Sequence, residues 1–143
     1  MKKIISTGLL LFLLFAWQPA AAQKGQLAEV FDIRLDHVTK TIPVTPAIQK
    51  EAESYLQTIT GLSPKLSPIP KEGRMIKVPL EPAVPVQNQW IDAVINEVII
   101  IIGKHEPPAL LVFDDENKAY FFYFNKDIGQ LLRIMDEPRT DQS

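Results

Sequence analysis

Two short apolar runs in the C-terminal third of the chain predict a β-hairpin. Ala109–Phe113 and Ala119–Phe124 are apolar at every position, and the polar residues 114–118 separate them. Runs of this length that are rich in β-branched and aromatic residues and bounded by turn residues are typical of buried strands. A second polar turn at 125–127 precedes the apolar run 131–135, which predicts a third strand of the same meander.

Pairing across a symmetric 114–118 loop predicts that both faces of this hairpin are apolar. Phe113 then lies opposite Ala119, and Leu111 lies opposite Phe121. One face carries Ala109, Leu111, Phe113, Ala119, Phe121 and Tyr123, and the other carries Leu110, Val112, Tyr120, Phe122 and Phe124. A sheet with one face in water alternates apolar and polar residues. Both faces therefore need a cover, which is either the chain itself or a partner.

A helix is predicted to begin directly after Thr45. Thr45 can cap it, and Pro46 suits its first position because a missing N–H costs nothing there. Apolar residues then recur at spacings of three and four as far as Ile59, and Gly61 is placed to end the helix in the left-handed conformation. This pattern is typical of an amphipathic helix that packs on a sheet.

The segment 89–102 admits two interpretations. Asn88 can cap a helix, and Gly103 followed by two prolines is a good helix stop. Residues 98–102, however, are all β-branched, which favours a strand. We predict a helix and keep a strand over 98–102 as the alternative. In both cases the segment is apolar nearly all round, which indicates burial.

Six prolines set the segment 62–86 apart. Prolines at this density exclude helix and interrupt sheet ladders. Residues 74–80 predict a short edge strand within the segment. Its many apolar residues argue against a flexible linker, so we expect it to lie extended across the domain.

Together these elements predict an α+β fold. Alternating apolar and charged residues favour one more half-buried strand within 27–38. The predicted architecture is two helices packed on a small antiparallel sheet, which includes the C-terminal three-stranded meander, with the proline-rich segment 62–86 laid across it.

Composition restricts the possible functions. The chain of 143 residues is 46% hydrophobic and 22% charged, which suits one globular domain. A formal net charge of −2 gives no bulk attraction to nucleic acid or anionic membranes. The absence of cysteine excludes disulfides, thiolate catalysis and cysteine-based metal sites.

The N-terminal residues 1–22 have the layout of a secretory signal peptide. Lys2 and Lys3 precede the apolar stretch 4–17, and three alanines end the segment at Ala22. The apolar stretch is shorter than the roughly 20 residues that span a bilayer, so we expect cleavage near Ala22 instead of a permanent anchor. The mature chain 23–143 is then a single secreted domain, and the loss of two lysines lowers its formal net charge from −2 to −4.

Chemistry-bearing residues form no catalytic pattern. His37 and His105 each stand beside an acid, but neighbouring residues on a strand point apart and no metal-ligand spacing is present. The acidic run 114–117 fits a hairpin turn better than a calcium loop. Asp92 and Glu97 belong to a polar strip on the predicted helix. We therefore predict no catalytic residue, metal site or cofactor.

Aromatic residues are the candidate binding residues. Aromatic side chains are enriched in the energetic centres of protein interfaces, and a buried phenol needs a hydrogen-bond partner. A sheet core is the alternative for most of them. The candidates are Trp90, Tyr120, Phe122, Tyr123 and Phe124.

The stretch 123–134 resembles the ending of PepSY modules. Those exported domains often close with an acidic-x-Gly turn between two strands, and Asp127-Ile128-Gly129 has that form here. The stretch is also similar to the C-terminal hairpin of the flagellar protein FlaG. The PepSY resemblance implies an inhibitor or chaperone of a secreted protease; no functional residues are carried over from either family.

The sequence thus predicts a secreted, non-enzymatic binding or accessory protein of the cell envelope or medium. It would dock a protein partner or a second copy through the aromatic sheet face or the proline-rich segment, would bind no nucleic acid, and would meet the membrane only during export. One alternative is an exported hydrolase that uses Asp92, Glu97 or the acids at 114–116, whose carboxylates would have to converge in a cleft. The other is the PepSY-like inhibitor or chaperone.

Overall fold

The computed structural model describes residues 26–65 and 69–137. Within these ranges the helices are α1 (Pro46–Leu56) and α2 (Gly129–Ile134), and the strands are β1 (Leu27–Asp32), β2 (His37–Pro43), β3 (Ile59–Leu62), β4 (Gly73–Gln87), β5 (Asp92–Gly103), β6 (Ala109–Phe113) and β7 (Ala119–Phe124). The predicted signal peptide, residues 1–22, lies outside the described residues. None of the helices described is long and apolar enough to cross a membrane.

The seven strands form one antiparallel sheet in the order β2-β1-β4-β5-β6-β7-β3. The long strands β4 and β5 form its centre, and β2 and β3 are its edges. The predicted α+β fold with two helices on a small sheet is therefore wrong, because 50% of the described residues are in strands and only 16% are in helices.

The 109–124 hairpin has the predicted register. Phe113 lies opposite Ala119, and Leu111 lies opposite Phe121. Asp114 organises the turn, since its Oδ1 accepts hydrogen bonds from the backbone N–H groups of Glu116 and Lys118, both at 2.9 Å. The acidic run thus has a structural role as a turn.

Helix α1 begins as predicted and ends earlier. The Thr45 hydroxyl accepts the Ile48 N–H at 3.2 Å, and Pro46 occupies the first turn. The helix ends at Leu56, and Gly61 belongs to strand β3 instead of capping the helix. The apolar stripe predicted for this helix is its buried face, formed by Ile48, Ala52, Tyr55 and Leu56.

The helix predicted over 89–102 is wrong, because the segment is the central strand β5. The Oδ1 of Asn88 accepts the N–H groups of Trp90 and Ile91 at 2.9 and 3.0 Å, so Asn88 closes a turn and caps no helix. The β-branched run then alternates between the two faces, with Val98 and Ile100 fully buried. The strand held as the alternative is correct and longer than expected.

The third meander strand is also wrong, because Gly129–Ile134 is helix α2. The Asp127 side chain accepts the Gly129 N–H at 3.1 Å just before the helix. Leu131, Leu132 and Met135 all point into the core, which is a helical spacing. The resemblance to PepSY and FlaG endings required a strand here and is not supported.

The proline-rich segment 62–86 supplies most of β4 instead of lying across the domain. The strand predicted over 74–80 exists, but it is central and not at an edge. The strand tolerates Pro79 and Pro85 because β1 pairs with β4 only at residues 74–77, so the later half of β4 has β5 as its one neighbour among the described strands.

One face of the sheet carries the main core. Both helices pack against this face, which we call the core face. Its fully buried side chains include Val30, Ile76, Val78, Ile95, Ile100, Leu110 and Phe122 from the strands, with Ile48, Tyr55, Leu131 and Met135 from the helices and the segment after α2.

Candidate docking surface

The opposite face of the sheet, the outer face, has an apolar cluster of its own. Ile101, Ala109 and Leu111 form this cluster, which is separate from the main core. The strand register extends it in a row across the sheet, with Ile99 opposite Leu111 and Leu111 opposite Phe121. The prediction that both faces of the hairpin are apolar is confirmed.

Part of this face is open to solvent. Phe113 is 38% exposed at the end of β6, and Ile99 and Phe121 are half-buried. Both helices of the described ranges pack on the core face. We call Ile99, Leu111, Phe113 and Phe121 the outer patch; Leu111 is its buried centre, at 7% exposure, and Phe113 is its exposed end.

The chain covers the other end of the outer face. Ser63 and Lys65, at the start of the connection from β3 to β4, lie beside Ile101 and Tyr123. The Lys65 ammonium lies 2.9 Å from the Glu106 carboxylate, and this hydrogen bond raises the pKa of Lys65. The described start of this connection therefore lies at the Ile101 and Tyr123 end of the outer face.

Acidic side chains border the outer patch. Glu97 lies on the outer face, where its carboxylate is 3.9 Å from the Lys77 ammonium. Continuing the β5–β6 register by two residues places Glu97 beside Phe113. The exposed acids Asp115 and Glu116 follow Phe113 in the turn.

Asp114 adds to the charge of this border, and Lys118 is directed away from it. Asp114 stays ionised, because hydrogen bonds from the backbone N–H groups of Lys118 and Glu116 hold its pKa below the usual value. The Lys118 ammonium lies 5.2 Å from the ring centre of Tyr120, which is on the core face. The acids therefore border the patch at its Phe113 end, while Lys77 lies beside Ile99 on the opposite side.

Four of the five predicted binding residues pack against the main core. Phe122 is fully buried, with its ring centre 6.2 Å from that of Trp90 and 5.9 Å from that of Tyr120. Phe124 packs edge-on against the Tyr55 ring at 5.1 Å.

The phenols of the aromatic strand divide between the two faces. The Tyr120 hydroxyl donates to Asp114 Oδ2 at 3.2 Å and so supports the turn. Tyr123 is the one predicted binding residue on the outer face, beneath the β3–β4 connection.

The residues of the outer patch were missed as a site for two reasons. The sequence placed Leu111, Phe113 and Phe121 on one face but could not show which face the helices cover. The helix predicted over 89–102 contains Ile99 and therefore gives no indication that Ile99 lies opposite Leu111 in the sheet.

No catalytic arrangement emerges among the described residues. Glu97 is paired with Lys77, and Asp114 is held in its turn. The described ranges contain no group of His, Asp and Glu side chains placed to hold a metal ion. Ser54 and Lys126 are in contact, but the ammonium is also 3.2 Å from Glu51, which makes this a link between α1 and the turn before α2.

The chain matches no protein-family model, no curated protein and no solved structure at a significant level. The functional argument therefore rests on the geometry of the molecule.

Proposed function

We propose that this is an exported, non-enzymatic binding protein that docks a basic, amphipathic segment of another protein on its outer patch. One observation carries the proposal: an apolar surface with acidic residues along its Phe113 end lies on a sheet face that no described helix covers. Contiguous apolar surface rimmed by polar groups marks interaction sites on soluble proteins.

The size of the patch favours a segment over a folded partner. Its four side chains lie on three neighbouring strands. With strands about 4.8 Å apart and about 6.8 Å per two-residue repeat, they cover roughly 200 Å². A stable protein–protein interface buries about 800 Å² on each partner. One face of a helix or strand fits the smaller area.

Charge also disfavours a second copy. Two outer patches packed with their Phe113 ends together would bring Glu97, Asp115 and Glu116 of both copies close, and like charges across an interface cost several kcal/mol. The same acids attract lysine and arginine side chains that flank an apolar strip.

The sheet edges are poor sites for adding a strand. The edge strand β2 contains Lys40 and Pro43 and pairs with β1 through a bulge. The opposite edge β3 has four residues, and Pro64 follows it closely. Lysine, proline, bulges and short length all protect an edge from pairing with another chain, so a partner is expected at the face.

Two designed peptides test the proposal on the mature chain 23–143. Both carry leucine at the same positions along one helix face. The charged residues at the remaining positions are lysine in one peptide and glutamate in the other. By titration calorimetry we expect the lysine peptide to bind, more weakly at higher salt, and the glutamate peptide not to bind. Phe113→Ser should lower the affinity for the lysine peptide at least about tenfold.

Leu35→Ser is the matched control for Phe113→Ser. Leu35 is a similarly exposed apolar residue, at 55%, in the turn between β1 and β2. This substitution should leave the affinity for the lysine peptide unchanged. Equal binding of both peptides would overturn the proposal, and so would a dimer of the mature protein that Phe113→Ser converts to a monomer.

Export is supported by the basic and apolar layout of residues 1–22. N-terminal sequencing of the protein recovered from outside the cytoplasm should begin near Gln23. A protein found only inside the cell and beginning at Met1 would remove the exported part of the proposal.

A further inference from the structure

A cavity of about 300 Å³ opens at one end of the core, between the β5–β6 loop and the residues that lead into α2. Apolar side chains form its floor, namely Ile102, Pro108, Ile128 and Leu132. The cavity is separate from the outer patch, because Ile102 and Leu132 belong to the main core. Cavities of this size that are apolar and carry a few polar groups are typical of small-molecule sites.

The two acids at the mouth of the cavity already have partners. The Glu106 carboxylate lies 2.9 Å from the Lys65 ammonium, which is hydrogen-bond distance. The Asp127 carboxylate accepts the Gly129 N–H at 3.1 Å and has a further partner as well. The acids of the mouth are thus engaged within the protein, and a cationic ligand would have to displace their partners.

Two donors at the same mouth have no acceptor. The Lys104 ammonium lies 3.7 Å from the Glu72 carboxylate, which is too far for a hydrogen bond, and both side chains are about half exposed. The His105 imidazole is exposed. Neither group donates a hydrogen bond within the part of the chain that the structure describes. Both residues line the cavity, so the apolar floor lies beside two unused donors.

We propose that this cavity binds a small apolar carboxylate. The alkyl group of the ligand lies on the apolar floor, and its carboxylate accepts hydrogen bonds from the Lys104 ammonium and the His105 imidazole. Hydrogen bonds between an ammonium and a carboxylate are shorter and stronger than those between neutral groups. A cavity of about 150 Å³ accommodates benzene, so 300 Å³ has room for a branched alkyl group and a carboxylate.

Three probes test the proposal on ¹⁵N-labelled mature protein at neutral pH. The first, 4-methylpentanoate, carries both the alkyl group and the carboxylate. The second, 4-methylpentanamide, has a neutral amide in place of the carboxylate, and the third, acetate, lacks the alkyl group. We expect 4-methylpentanoate to shift the amide signals of residues 103–106 and 127–129 and to bind at least about fivefold more tightly than either of the others.

Variants of the two donors assign the charged end of the ligand. Lys104→Gln, at an exposed position, should reduce the preference for 4-methylpentanoate over 4-methylpentanamide to less than about twofold and leave the affinity for the amide unchanged. His105→Phe keeps a ring but donates no hydrogen bond, and should also lower this preference. Lys71→Gln is the control, because Lys71 lines the neighbouring cavity and not this one, and it should leave all three affinities unchanged.

Several results would overturn the proposal. These are equal binding of 4-methylpentanoate and its amide, equal binding of 4-methylpentanoate and acetate, signal shifts confined to other parts of the chain, or no shift with any probe. An unchanged preference in Lys104→Gln or His105→Phe protein would do the same. Loss of the preference in Lys71→Gln protein would place the carboxylate in the neighbouring cavity and would equally overturn it.

Discussion

At the scale of single residues, Tyr55 links two parts of the core face. Its side chain is fully buried, and its hydroxyl contacts Glu51 Oε1 at 3.3 Å and the backbone oxygen of Asp127 at 3.4 Å. The Lys126 ammonium lies 5.3 Å from the ring centre. Burial and the neighbouring Glu51 carboxylate raise the pKa of Tyr55 well above its ordinary value. The phenol therefore joins α1 to the turn before α2 in its neutral form.

Tyr55→Phe should change how stability depends on alkaline pH. The folded-state pKa of Tyr55 lies above the unfolded value of about 10, so the neutral phenol stabilises the protein fully below pH 10 and this contribution is lost as the pH rises beyond it. The variant should lose about 1 kcal/mol near neutral pH and show a shallower decline above pH 10. Urea unfolding between pH 7 and 11 measures both, and parallel curves for the two proteins would contradict the assignment.

At the scale of elements, the start of β4 depends on a glycine. Gly73 has φ +133° and lies opposite Gly103. A Cβ atom added to it would stand 2.1 Å from the Ile102 carbonyl oxygen, which is too close for any side chain. This close approach lets the first residue of β4 pair with the last residue of β5.

Gly73→Ala should therefore lower the free energy of unfolding by about 2–4 kcal/mol, because both the backbone conformation and the close contact oppose a Cβ atom. Gly61→Ala is the control, since its added Cβ would meet the Trp90 ring at an ordinary 4.0 Å. The control should stay within about 0.5 kcal/mol of the parent. Urea unfolding compares the two, and similar losses for both would show that the glycine at 73 is not special.

The helices and strands that carry a strong local signal were predictable from the sequence. The apolar strands of the hairpin and the Thr45-Pro46 helix start carry local signals, and both are confirmed. The Asn88 side chain can accept hydrogen bonds at a helix cap or in a turn, and its position in the sequence does not distinguish the two. For this reason the sequence predicts a helix where the structure has strand β5. At 131–135 the spacing of the apolar residues is that of a helix. A short apolar run directly after two strands also predicts a third strand, and the structure has the helix.

The site was less predictable than the hairpin. Aromatic residues are large apolar groups in both a core and an interface, so Phe122 and Phe113 are equivalent in the sequence. Helix packing, which depends on contacts between distant segments, buries Phe122 and leaves Phe113 38% exposed. Which apolar face is open is thus a tertiary property.

At the scale of the whole molecule, the C-terminal segment ties the edge of the sheet to its centre. The Glu137 carboxylate lies 2.7 Å from the Arg74 guanidinium of β4 and 3.4 Å from the Lys40 ammonium of β2. Lys40 also donates to the backbone oxygens of Met135 and Asp136, both at 2.9 Å. The end of the described chain therefore closes the core beside α2.

Glu137→Gln should lower the free energy of unfolding by about 1–3 kcal/mol, because it removes the charge of a largely buried carboxylate that lies 2.7 Å from the largely buried Arg74 guanidinium. Glu116→Gln removes the same charge from the exposed turn and should change stability by less than about 0.5 kcal/mol. Thermal unfolding of both variants at neutral pH makes the comparison. A Glu137→Gln protein as stable as Glu116→Gln would mean that the ion pairs of Glu137 do not contribute to the free energy of unfolding.

The strand order also determines when the sheet can assemble. β1 is joined to the rest of the sheet by β4, more than forty residues later, and β3 pairs with β7, about sixty residues later. Contacts between such distant segments form slowly, because a long loop must close first. Among the described residues, β1 and β2 can pair early as a hairpin, whereas β3 has no strand partner until β7 has been synthesised. The edge strand β3 therefore waits for the last strand of the sheet, and the sheet is complete only when the chain has been made as far as Phe124.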